Sequence, residues 1–253
     1  MSRYEVRLGS ALMTLTDPDR GAEIAFNRWY ERDHFYGGAV LGPGVLAGAR
    51  FLARDTEKMM RIVPEGDDPD RGTMLALYWL ADNGGDYWRW CTGNVNLLAV
   101  QGRMTAPGQV RDMRWLPAPW AESAAVDGVP AALALDRRFP AVVVSIVESE
   151  ARTAEDLDTA YREECARSLC SEPGVALVIG ASPQVIDLRT GPTPGARAET
   201  AAVWFFEDQL RLAAFIDAHE KAVADLGEAR TVWLSPFVAT VPGTDTHLDR
   251  LWL

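Results

Sequence analysis

The sequence predicts an α+β fold in which one βαββαβ unit occurs twice in a single chain. Three observations carry this. Period-two apolar runs and stretches of helical spacing follow one another as strand, helix, strand, strand, helix, strand. The same order recurs in the second half. Two short segments also repeat: residues 42–45 (GPGV) match 172–175 (EPGV) at an offset of 130, and residues 75–83 (LALYWLADN) match 201–209 (AAVWFFEDQ) at an offset of 126. Near-equal offsets in one element order point to an internal duplication.

Each element has its own signal. In the segment YEVRLGSALMTL, Tyr4, Val6 and Leu8 alternate with Glu5 and Arg7, which predicts a half-buried first strand. A helix is expected over residues 21–36, strands over 43–53 and 73–81, a second helix over 85–104 and a fourth strand over 110–116. In the second half the strands are 141–149, 173–181, 200–207 and 230–239, and the helices 154–169 and about 208–226. The Pro- and Ala-rich stretch 117–140 separates the repeats, which sets the halves at 1–121 and 139–253 with a linker at 122–138. A βαββαβ unit is the split βαβ, ferredoxin-like arrangement, with both helices on one face of a four-stranded antiparallel sheet. The bare face needs a partner sheet, and the second unit supplies one, either back to back or curled into a barrel.

Apolar residues make up 48% and charged residues 24% of the 253, so a packed core is expected. A net charge of −11 argues against nucleic acid and anionic membrane surfaces as partners. No apolar run approaches the roughly 20 residues of a membrane span, and the N-terminal MSRYEVRLGS lacks a signal-peptide block. Three cysteines (Cys91, Cys165, Cys170) are too few and odd in number for a disulfide framework. A cytoplasmic chain with reduced thiols is expected.

The segment FNRWYERDHF (26–35), followed after a short gap by GPGVLAGARF (42–51), resembles the first helix and second strand of the EthD-like dimeric α+β barrel families. There an aromatic-rich helix ends in Trp-Tyr-x-x-x-His before a Pro-Gly-Val turn. The resemblance implies an eight-stranded barrel of two ferredoxin-like halves, here an intramolecular dimeric α+β barrel. The superfamily holds polyketide cyclases, lactone isomerases, cofactor-free monooxygenases, aldoxime dehydratases and haem enzymes, so the resemblance selects no single activity.

On a helical wheel Phe26, Trp29, Tyr30 and Asp33 share an arc with His34 at its edge, while Arg28, Glu31 and Arg32 lie opposite. Tyr30 and His34, at i and i+4, both face a space between helix and sheet. An imidazole with an ordinary pKa of about 6.5 suits a proton shuttle there; alternatively His34 caps the helix end and bonds a carbonyl. Asp33 on the apolar arc requires a partner, and Arg50 on the next strand is the expected one. The repeat places Leu157, Tyr161 and Cys165 where the first half has Phe26, Tyr30 and His34, so a proton-transfer site would be single and N-terminal. His219 reads as a satisfied core histidine and His247 as a surface residue of a tail that packs on its own barrel or on a second protomer. Six of the nine tryptophans (Trp29, Trp79, Trp88, Trp90, Trp115, Trp120) lie in the first half or at the start of the linker, in agreement with an apolar cavity beside His34.

No zinc-like spacing, P-loop, dinucleotide fingerprint or G-x-S-x-G is present. A lone histidine could ligate haem, but nothing selects for it. The expectation is therefore a cofactor-independent enzyme of cyclase, isomerase or dehydratase type acting on a small apolar or aromatic carbonyl compound. His34 would be the acid/base, Tyr30 would polarise an oxygen, and Phe26, Trp29, Asp33 and Arg50 would shape the site. A non-catalytic binding or accessory protein and a cofactor-free monooxygenase are the alternatives, and a homodimer is compatible with either.

Overall fold

The computed structural model describes residues 6–125, 128–187 and 190–253. In the first half, the central strand β1 (Ser10–Pro18) pairs on one side with β3 (Met74–Leu80) and on the other with β4 (Gly108–Pro117), and β2 (Val45–Leu52) adds outside β3. In the second half β6 (Ala141–Ser149) lies between β10 (Ala198–Phe206) and β11 (Ala229–Ala239), and β7 (Val175–Ala181) adds outside β10. The two blocks therefore have the same order of equivalent strands, second, third, first, fourth.

The blocks join at several places. β11 pairs with β2 through Val238↔Leu52 and Ala239↔Phe51. Beyond Ala118, whose φ of 41° turns the chain, β4 is followed by β5 (Trp120–Ser123), which pairs with β7. A hairpin of β8 (Gln184–Asp187) and β9 (Gly191–Pro194) lies against β4. All eleven strands form one antiparallel sheet.

Alternation on the central strands decides what each face buries. Ala11, Met13 and Leu15 meet Val142, Val144 and Ile146 of β6 in a core shared by both halves, and Trp79 meets Phe205 there edge to face. The intervening residues face the helices: Leu12 in the first half, Val143 and Val147 in the second.

The first helix of each half has one pattern. α1 (Glu23–Trp29) runs seven residues and then widens into π-helical turns at Tyr30–His34 and Tyr36–Val40. A short helix α2 (Asp55–Lys58) and the long α3 (Gly85–Val100) complete the helices of that half. In the second half α4 (Ala154–Ala160) also runs seven residues and widens at Tyr161–Ala166 before α5 (Arg167–Leu169); α6 (Leu212–Asp225) is the equivalent of α3. The change from α to π thus falls on the tyrosines that the internal repeat pairs.

Two expectations need correction. The first strand begins at Ser10: Val6 is exposed and outside the strand, and Tyr4 and Glu5 lie outside the described residues. The stretch 117–140 is not only connection, since it holds β5 and a 3₁₀ turn at Ala131–Leu133. A four-residue strand is too short for periodicity to separate from a loop, and the same holds for the β8–β9 hairpin. The tail packs on its own chain: Leu251 is fully buried, the Trp252 indole donates to Glu23 Oε1 at 2.6 Å, and the cations of Arg20 and Lys58 lie against its ring. The buried Lys58 ammonium donates to Asp70 Oδ1 at 2.9 Å and to the Leu251 carbonyl.

Candidate functional site

A cavity of about 200 Å³ lies between the sheet of the first half and its two long helices. Its floor is Leu12, Thr14 and Thr16, which share one face of β1 at i, i+2 and i+4, with Tyr78 of β3 beside them. Phe26, Trp29, Tyr30 and His34 form one wall, and Tyr87, Trp88 and Cys91 of α3 the other. The structure thus brings four of the six expected site residues together.

Tyr30 is buried, and its hydroxyl bonds the Tyr78 hydroxyl at 3.1 Å. The Arg50 guanidinium lies 4.5 Å from the Tyr30 ring centroid, in cation–π range. Burial raises the pKa of Tyr30 and lifts that of Tyr78 well above its ordinary value, so both stay neutral hydroxyls. Of two hydroxyls bonded to each other, one donates and the other keeps a hydrogen for a third group.

His34 stacks on Trp29 with ring centroids 4.5 Å apart and 16° between planes, and meets Tyr30 edge to face at 5.3 Å. Its imidazole runs so close to Gly38 that a Cβ there would lie 2.8 Å from Nδ1; only glycine fits. Burial lowers its pKa to about 4, against the opposing pull of Asp33, so at neutral pH the ring is uncharged and keeps a lone pair on one nitrogen. Nδ1 is buried without a hydrogen-bond partner. The helix continues in π-helical turns to Val40, so His34 is not an end cap.

The expected Asp33–Arg50 pair does not form. Asp33 is about 30% exposed and receives the Arg103 guanidinium, with Nε at 2.9 and 3.0 Å from its two oxygens. Arg50 is buried and pairs with Glu31 at 3.3 Å and Asn27 Oδ1 at 2.9 Å. The cause is the π-helical turn: its wider spacing rotates the residues after Tyr30 relative to an α-helical wheel. Asp33 swings off the apolar arc and Glu31, expected opposite, turns inward. Neither Asp33 nor Arg50 lines the cavity.

Sequence reasoning missed Thr14, Thr16, Tyr78, Tyr87 and Cys91, and reached Trp88 only as one of the six tryptophans that agree with a cavity. One signal was legible: β1 carries two threonines on the face that alternates with Met13 and Leu15. At the matching place in the second half, Trp204 stands for Tyr78 and Ser145 for Thr14. There the Trp204 indole donates to Ser145 Oγ at 3.2 Å, and the Tyr161 hydroxyl bonds Ser145 Oγ at 3.0 Å and His219 Nε2 at 2.8 Å. Trp204, Tyr161 and His219 are all fully buried, so side chains occupy this space. His219 is the satisfied core histidine the sequence suggests.

The pKa of His34 sets a pH dependence. Between its ordinary value of 6.5 and about 4 the unfolded chain takes up a proton that the folded site refuses. This stabilisation is complete above pH 6.5 and is lost as pH falls towards 4. Thermal melts from pH 7 to 4 should show a shallower fall in Tm for His34→Asn than for the unaltered chain; identical slopes would contradict a buried neutral imidazole.

The chain matches no protein-family model and no curated protein. Solved structures do resemble it along its whole length. An anthrone oxidase-like protein superposes with a TM-score of 0.55 at 9% identity, over 95% of this chain and 94% of that one. A DypB variant of Rhodococcus jostii RHA1 in complex with heme gives 0.51 at 10% identity, over 96% of each. A chlorite dismutase-like protein gives 0.51 at 9%, over 94% and 97%. These neighbours are ferredoxin-like α+β barrel proteins, and at such identity the likeness concerns fold alone.

The residues present do not fit a haem. The cavity is below the roughly 300–1,000 Å³ of ordinary small-molecule clefts, and the imidazole that lines it lies flat on Trp29. Among the described residues no group of three His, Cys, Asp or Glu gathers to hold a metal, and no helix is long and apolar enough to cross a membrane.

Proposed function

We propose that the chain is an enzyme that binds a small, flat, mostly apolar carbonyl compound in the N-terminal cavity and moves a proton on it without a cofactor. The observation that carries this reading is a neutral, buried imidazole beside a hydroxyl pair with a hydrogen to spare, in one apolar cavity. His34 takes a proton from the carbon next to the carbonyl. The Tyr30–Tyr78 pair donates its spare hydrogen to the carbonyl oxygen as that oxygen gains charge. Return of the proton to another atom isomerises the compound, while ring closure or loss of water from the same enolate gives a cyclase or dehydratase. Reaction of that enolate with dioxygen would be the cofactor-free monooxygenase form.

The test is deuterium uptake. A panel of small aryl ketones incubated with the protein in D₂O should include members that gain deuterium next to the carbonyl faster than in buffer, and His34→Asn should abolish the gain. Ketones retained in native mass spectrometry without any exchange would favour a binding or accessory protein instead.

The architecture supports a companion proposal, that an EthD-like unit and its duplicate close one barrel within the chain. Residues 1–121 expressed alone would expose Ala11, Met13 and Leu15 and lack half of β5. Dimers or aggregates are expected in size-exclusion chromatography, and a well-behaved monomer would refute closure by the second half.

A further inference from the structure

We infer that Trp88 is a specificity-determining residue of this cavity, whose indole N–H donates to an oxygen of the ligand remote from the reacting carbonyl. The inference rests on the cavity being the ligand site proposed above. Among the described residues three buried side-chain nitrogen or oxygen atoms lack a hydrogen-bond partner: His34 Nδ1, Trp88 Nε1 and Thr231 Oγ1. The first two belong to residues lining the same cavity.

Five of the other eight indoles donate to a partner within the protein, and among the described residues Trp88 alone has a buried indole nitrogen left unpaired. Trp29 donates to the Arg103 carbonyl at 2.8 Å, Trp79 to the Ala131 carbonyl at 2.8 Å, Trp120 to Asp158 at 3.0 Å, Trp204 to Ser145 and Trp252 to Glu23. Trp88 departs from that pattern. Its ring is held edge to face against Tyr87 at 5.3 Å and Trp115 at 5.0 Å, so rotation towards another protein acceptor would break two aromatic contacts. Leaving a buried donor unpaired is unfavourable, and an arriving acceptor removes that penalty.

An indole N–H donates and never accepts, so the complement must be an oxygen with a free lone pair. The Tyr30–Tyr78 pair and His34 already account for the reacting carbonyl and its neighbouring carbon. Trp88 therefore calls for a second oxygen on the apolar body. The ligand class is a small, flat ring ketone carrying a hydroxyl, ether or second carbonyl oxygen. A cavity of about 200 Å³ suits one or two fused rings.

Isothermal titration with 1-tetralone and its ring-hydroxylated isomers tests this. At least one isomer should bind the unaltered chain about tenfold or more tighter than 1-tetralone itself, the scale of one hydrogen bond in a buried site. That advantage, taken as the ratio of the two affinities within one protein, should vanish in Trp88→Phe, whatever the variant does to 1-tetralone binding itself. Replacing Trp88 by β-(3-benzothienyl)alanine, which keeps the bicyclic ring and loses the N–H, should give the same result and guards against a packing defect in the phenylalanine variant. An advantage that survives both replacements, isomers no tighter than the parent, or no binding by any tetralone overturns the inference. Discrimination by oxygen that depends on Trp88, without any deuterium exchange, would leave Trp88 its role and remove the enzymatic reading.

Discussion

His34→Asn should lower turnover of any ketone that exchanges deuterium by about 10² to 10⁴, the usual contribution of a positioned acid or base. Its melting temperature at pH 7 should stay nearly unchanged. The imidazole is neutral there and Nδ1 makes no bond that asparagine would lose; the stacking on Trp29 is the main contact removed. Tyr30→Phe should cost less, because the ring keeps its place under Arg50 and Tyr78 retains a hydroxyl to face the carbonyl. Steady-state exchange rates and thermal melts on the same preparations decide the matter. A melting temperature several degrees lower with exchange intact would make His34 a packing residue and remove it from the chemistry.

The largest expected loss of stability lies in the other half. Trp204 is fully buried, meets Phe215 at 4.9 Å and bonds Ser145. Trp204→Ala should destabilise the chain by about 3–5 kcal/mol, the range for truncating a large buried aromatic. At roughly 2–4 °C per kcal/mol for a chain of this size, Tm should fall by about 6–20 °C. Any activity of the N-terminal cavity should persist below the new transition. A Tm change of less than about 2 °C would mean that the C-terminal helix layer is far looser than its burial shows.

The repeat was legible because it rests on long periodic segments and on two matching motifs. Strand β6 fell on residues 141–149 as expected, and the two long second helices ended within a few residues of their expected limits. The wall formed by Phe26, Trp29, Tyr30 and His34 was legible for the same reason, since one helix face needs only local spacing. Asp33 and Arg50 were not, because the wheel assumes α geometry and the helix abandons it at Tyr30. For Trp88 the excess of tryptophan in the first half was the one hint. Tyr78 and Cys91 reach the cavity through tertiary packing of β3 and α3 across β1, contacts for which a single sequence carries no signal. The orphaned indole of Trp88 belongs to the same class: only a three-dimensional inventory of donors reveals it.

The contrast between the open first half and the filled second half bears on how this protein can change. Cavity-lining positions such as Thr14, Tyr78 and Cys91 contribute less packing than a solid layer would, and two polar atoms there go unpaired. In the second half Trp204, Phe215, Tyr161 and His219 are all buried, so that half should supply stability on which substitutions in the first half can draw. Laboratory evolution should therefore accept new side chains around His34 readily and reject them around His219. One half would then be the adaptable part of the molecule and the other its ballast, a division of labour between parts that share one topology.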